Sequence, residues 1–101
     1  MIEITYGSRE PPSLVIRGHS GYSTQGTDIV CASVSTLFNN LVNSLSEFTD
    51  DLVSVRCSPG DGALIWRGRC SKGARLLLDS CLLGLKDVAE QYPDYVKFNI
   101  D

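Results

Sequence analysis

Apolar residues in this chain recur first at every second position, then at every third or fourth, and the rhythm then reverses and repeats, which leaves few folds open to it. Ile2 and Ile4 alternate with Glu3 and Thr5 in residues 1–6, and Leu14 and Ile16 continue the same period in residues 13–17, so each segment reads as a half-buried strand with GSREPP as the turn. From Ile29 the spacing lengthens. Val30, Val34, Leu37, Leu41, Leu45 and Phe48 trace one face of a helix that should end near residues 49–51. Residues 52–57 and 63–69 are rich in β-branched and aromatic side chains around a Ser58-Pro59-Gly60-Asp61-Gly62 turn cluster, and together they predict a hairpin. A second helix is expected over residues 73–92, with Ala74, Leu78, Cys81, Leu85 and Val88 inward and Pro93 stopping it, and residues 95–100 close the chain as a fifth strand. The order ββαββαβ, with one apolar stripe on each helix, predicts an α+β two-layer sandwich whose mainly antiparallel sheet carries both helices on one face.

A chain of 101 residues, 43% of them apolar, is expected to form a single domain able to bury a core without metal or disulfide staples. Nine basic and twelve acidic residues give a net charge of -3, which argues against a protein that grips nucleic acid by its phosphates. No stretch has the apolar length of a membrane span, and the first ten residues, MIEITYGSRE, do not have the pattern of a signal peptide, so the expected compartment is the cytosol. The four cysteines, at 31, 57, 70 and 81, form no CxxC pair and no zinc-type group with the single histidine, and they read as free thiols. Cys57, Cys70 and Cys81 fall inside apolar periodic segments, where a buried structural thiol is the expected role.

The chemistry concentrates in one glycine-rich stretch. His19 follows the second strand, and Cys31 falls in the first turn of the first helix, twelve positions later. Asp28 is the natural N-cap, which places Cys31 at about the third helical position. Unsatisfied backbone N–H groups and the positive end of the helix macrodipole favour negative charge at such a site, and an imidazole from the strand end would complete a nucleophile–base pair. The Cys31 N–H is then expected to serve a developing oxyanion, while Gly18, Gly21 and Gly26 let backbone approach a substrate. Ser35, one turn beyond Cys31 on the same side, is either a support for the site or, by default, a surface serine, and Asp28 either caps the helix or orients His19. Tyr22 is either a lid residue or an ordinary exposed aromatic. The plain alternative for the pair is that Cys31 packs as a small hydrophobe and His19 ends a strand.

The string GHSGYSTQGTDIVCASVS closely resembles the signature of the bacterial ribosomal-processing cysteine proteases called Prp, in which a Gly-His, a glycine-containing loop and a D-I-V-C-A-x-V-S helix start follow in that order. The similarity continues through Tyr92-Pro93-Asp94-Tyr95-Val96 and so spans nearly the whole chain. It implies Cys31 as nucleophile and His19 as base and acid, with Asp28 and Ser35 beside the dyad. It also implies a homodimer whose peptide substrate is the N-terminal extension of a large-subunit ribosomal protein, number twenty-seven of the L series, cut after an apolar, aromatic-containing stretch. Ser20 departs from the family pattern, which usually has alanine there, and the change bears on loop packing. Peptide hydrolysis through an acyl-enzyme requires no metal or organic cofactor. Two other classes stay open on sequence: a non-enzymatic module that associates with ribosomal proteins, and a thiol redox sensor, which needs no histidine partner.

Overall fold

The structure, a computed structural model, describes residues 1–23 and 28–101. Its elements follow the expected order: β1 (Ile2–Gly7), β2 (Ser13–Arg17), α1 (Ile29–Phe48), β3 (Val53–Ser58), β4 (Asp61–Trp66), α2 (Lys72–Gln91) and β5 (Val96–Ile100). The strands form one sheet in the order β3-β4-β2-β1-β5. Every pairing is antiparallel except β1 with β5, which is parallel and registers Ile2 with Val96 and Ile4 with Phe98.

The two-residue alternation decides which face is covered. Ile2, Ile4, Leu14, Ile16, Leu64 and Trp66 all point to one side, where both helices pack and form one core with Val30, Leu41, Leu45, Leu78 and Leu85. The helices run close together where Leu37 of α1 meets Gly84 of α2, and a Cβ at Gly84 would stand 2.9 Å from a Leu37 methyl. The buried stripe of α1 is Val30, Val34, Phe38, Leu41 and Leu45. Leu37 lies beside that stripe, partly buried, whereas Phe48 is 75% exposed because the helix ends at that residue. In α2, Leu82 joins the expected Ala74, Leu78, Cys81 and Leu85, and Val88 packs against the core without full burial.

Strand directions also gather the loops that matter. The pairings Arg17 with Asp61 and Glu3 with Arg17 put the end of β2, the start of β1 and the turn between β3 and β4 at one end of the sheet. From that end α1 departs and to it α2 returns. The opposite end is fastened by Asp51, one of whose carboxylate oxygens accepts the Trp66 indole N–H and the Ser71 backbone N–H, both at 2.9 Å. Burial alone would push this carboxyl up, but those bonds from Ser71 and Trp66 outweigh it and hold it below its usual 3.8. Because the folded-state value is depressed, Asp51 contributes stability above pH 3.8 and loses it progressively as the pH falls below that value. Replacing it strands a buried indole N–H and a helix-capping N–H. Asp51→Ala is expected to cost about 2 kcal/mol at neutral pH, read by urea unfolding with Trp66 fluorescence; an unchanged midpoint would mean that the two donors find other acceptors.

Candidate active site

Asp28 does cap α1. Its Oδ1 accepts the N–H groups of Val30 and Cys31, each at 3.0 Å, and it adopts the extended backbone conformation usual for an N-cap. Cys31 is therefore the third residue of the helix, as the spacing predicts. The expectation that its own N–H waits for an oxyanion does not survive, since that N–H is committed to the cap. The donor that does reach the sulfur is the backbone N–H of Ser20, at 3.3 Å from Sγ. An N–H aimed at sulfur is a better partner for an anion than for a neutral thiol.

Ser20 does more than supply that N–H. Its hydroxyl donates a short hydrogen bond to Asp28 Oδ2 and accepts the Tyr22 N–H at 3.0 Å, and the residue is only 4% exposed. One buried serine thus joins the β2 exit, the helix cap and the thiol. The Asp28 carboxyl is held down at about 2, first by the Ser20 hydroxyl and then by the Cys31 and Val30 donors, against a desolvation cost that acts the other way. Its two oxygens are engaged by the helix start and by Ser20, which is the geometry of a cap.

His19, Cys31, Asp28, Ser35, Gly18 and Gly21 all line one cleft of about 380 Å³ between the start of α1, the β2 exit and the β3–β4 turn. The expected nucleophile and its expected base therefore face the same space, although no hydrogen bond joins His19 to Cys31 among the described residues. Cys31 is partly buried and His19 is exposed, while the His19 carbonyl accepts the Met1 nitrogen at 2.6 Å. Tyr22 does not line the cleft: its ring meets Tyr92 and Tyr95 edge-on, with centroids 5.6 and 5.2 Å apart. That contact ties the loop to the Tyr92–Tyr95 corner. Gly26, with Thr24, Gln25 and Thr27, lies outside the described residues.

The other thiols divide. Burial pushes Cys81 up to about 11, with its Sγ 3.5 Å from the Leu37 carbonyl oxygen, and burial also pushes Cys70 up. Cys57 departs from the expected pattern, being exposed in β3 and lining the cleft, with its Sγ 3.9 Å from Asn39 Oδ1. Its inward position by alternation is real, but β3 is an edge strand and the space above it is the cleft. Among the described residues there is no group of three or more side chains suited to hold a metal ion.

Ser20→Ala removes the largest contribution to the depressed Asp28 value, so that value should rise from about 2 toward 3.8. A depressed folded-state value gives stability that is present above pH 3.8 and lost as the pH falls to about 2. The variant should consequently show a flatter loss of stability between those two pH values than the wild type, measured by urea unfolding across that window. Equal slopes would show that Ser20 does not set the ionisation of the cap.

Comparison with known proteins bears on the family and the fold. A family model described as cysteine protease Prp matches residues 1–97. The ribosomal processing cysteine protease Prp of Staphylococcus aureus is 25% identical over 88 residues, covering 85% of this chain and 83% of that protein. The crystal structure of the essential ribosomal processing protease Prp from S. aureus with a covalently linked product peptide superposes with a TM-score of 0.92 at 22% identity, each chain fully covered, and so shares the fold. SMU.848 from Streptococcus mutans is 35% identical, with a TM-score of 0.81 over 99% of this chain and 93% of that one. On the extent of the family match, which covers residues 1–97, the chain belongs to the Prp family of cysteine proteases.

Proposed function

We propose that the chain is an endopeptidase that uses Cys31 as nucleophile and His19 as general base and acid to remove the N-terminal extension of a ribosomal protein precursor, number twenty-seven of the large-subunit L series. The observation that carries the reading is the shared cleft, with Cys31 at a capped helix start, a backbone N–H on its sulfur and the chain's single imidazole at the rim. The name of the S. aureus relative, a ribosomal processing protease, and its structures with substrate and product peptides support the substrate class.

The chemistry follows from the groups in place. His19 takes the thiol proton and Cys31 Sγ attacks the scissile carbonyl, and as the negative charge passes from sulfur to the carbonyl oxygen the Ser20 N–H is released from the sulfur to face the oxyanion. His19 then passes the proton to the departing amine, which leaves as the new N-terminus of the shortened protein, and a water deprotonated by the same imidazole hydrolyses the remaining acyl-enzyme to release the extension and restore the thiol. No metal or organic cofactor enters these steps. Asp28 and Ser35 support the dyad, the first by fixing the helix start and the second from the turn above Cys31. Gly18, Gly21, Gly26 and Tyr22 belong to the substrate loop, with Tyr22 as its anchor on the tyrosine corner. The apolar cleft wall formed by Ile2, Ile16, Val34 and Phe38 suits an apolar or aromatic side chain of an extended peptide. The same reading includes a cytoplasmic location, which a ribosomal substrate supports, a homodimeric state, and residues 1–101 acting as one catalytic domain. No helix among the described residues is long and apolar enough to cross a membrane.

Incubating the purified protein with a peptide that spans the extension junction should give one cut by mass spectrometry, and Cys31→Ala should abolish it while leaving the melting temperature nearly unchanged. Cleavage retained by that variant would remove Cys31 as nucleophile. His19→Ala should lose cleavage as well, and alkylation of Cys31 should then require a higher pH. An alkylation profile identical to wild type would mean that the imidazole does not act on this thiol.

A further inference from the structure

The hairpin between β3 and β4 turns through Pro59 and Gly60, and Gly60 has a φ of +72°, a left-handed conformation open to glycine and costly for most other residues. Its carbonyl oxygen accepts the Gly18 N–H at 2.8 Å, so the turn is docked on the residue that precedes His19. The imidazole itself rests on the turn. A Cβ at Gly60 would stand 2.5 Å from His19 Nε2, 2.9 Å from Cε1 and 3.1 Å from Cδ2, distances that no side chain could occupy without moving the ring. Among the described residues no hydrogen bond to that ring is found, and the bare backbone of Gly60 lies against it.

We propose that Gly60 is a positioning residue for the His19 imidazole, its missing side chain forming the shelf that sets the ring's place in the cleft. The proposal rests on the reading of His19 as the acid and base of the reaction. Two features of the turn serve this role together. Pro59 has its φ fixed by its ring, which stiffens the tip, and the Gly18–Gly60 bond keeps shelf and histidine backbone in one frame. A side chain at position 60 therefore displaces the ring relative to Cys31 without touching the thiol or the helix cap. Displacement of a catalytic group by about 1 Å is enough to lower turnover by ~100-fold.

The test uses Gly60→Ala and Gly60→Asn. Asparagine tolerates a positive φ far better than alanine, so it retains the clash while relieving most of the backbone strain. As the chain has one histidine, its Hε1 proton gives a single NMR signal, readable without any substrate. In folded Gly60→Asn that signal should move, the pH profile of Cys31 alkylation should move with it, and kcat on a peptide that the wild type cleaves should fall ~100-fold with little change in KM. A folded Gly60→Asn with the wild-type imidazole signal, alkylation profile and kcat would overturn the proposal. Should neither variant fold, the wild-type protein decides: a nuclear Overhauser effect between the His19 ring protons and the Gly60 Hα protons is expected, and its absence would overturn the shelf. Failure of the wild type to cut the peptide would count against the proposed substrate alone, because the signal, the alkylation profile and the Overhauser effect do not depend on it.

Discussion

Much at the cleft depends on the bond between the Ser20 hydroxyl and the Asp28 carboxylate. One oxygen of Asp28 satisfies the N–H groups of Val30 and Cys31 that would otherwise be orphans at the start of α1, and the other holds Ser20 in place below the surface. Because Ser20 is held, its N–H is directed at the Cys31 sulfur, and the chain leaving β2 is fixed against the helix that begins at Ile29. A carboxylate so close to a thiol would ordinarily work against negative charge on sulfur. Here it is engaged by two backbone donors and a hydroxyl, and the helix end contributes positive potential of its own.

The sheet topology explains why this knot faces a cleft and not the core. β2 ends, β4 begins and β1 begins at the same end of the sheet, so the β2 exit, the β3–β4 turn and the first turn of α1 surround one space. α2 returns to that end, and the Tyr92–Tyr95 corner between α2 and β5 receives Tyr22. The parallel pairing of β5 with β1 follows from the same route, since a strand that starts where α2 finishes runs in the direction of β1.

Residues whose roles follow from local spacing were legible in the sequence. Asp28 before Ile29 and Val30 announces a cap, and the cap fixes Cys31 at the third helical position whatever the tertiary structure. The alternation in β1 and β2 and the stripe from Val30 to Leu45 likewise identify the inward faces. Residues whose roles depend on distant neighbours were not legible. Phe38 fits the helical period of Val34, Leu41 and Leu45 as well as Leu37 does, and what makes it the buried one of the two is glycine at position 62, which leaves room for its ring 3.3 Å from where a Cβ would be. Phe48 fits the same periodicity and is exposed because its helix stops there. Cys57 alternates inward as expected but meets a cleft where a core was anticipated. Ser20 looks like a minor loop change until its hydroxyl is seen on Asp28, and nothing in the spacing of Gly60 and His19, 41 positions apart, signals that one supports the other.

The cleft also has a length, and length bears on what can occupy it. Cys31, Ser35 and Asn39 succeed one another at four-residue intervals on the wall contributed by α1, a distance of about 12 Å along the helix. Fully extended backbone covers that distance in about three to four residues. The opposite wall is the β3–β4 turn from Cys57 to Asp61, polar at its rim, while Ile16, Val34 and Phe38 supply apolar surface. A short extended segment with an apolar side chain turned inward and backbone groups turned toward the polar rim matches both the length and the chemistry of these walls.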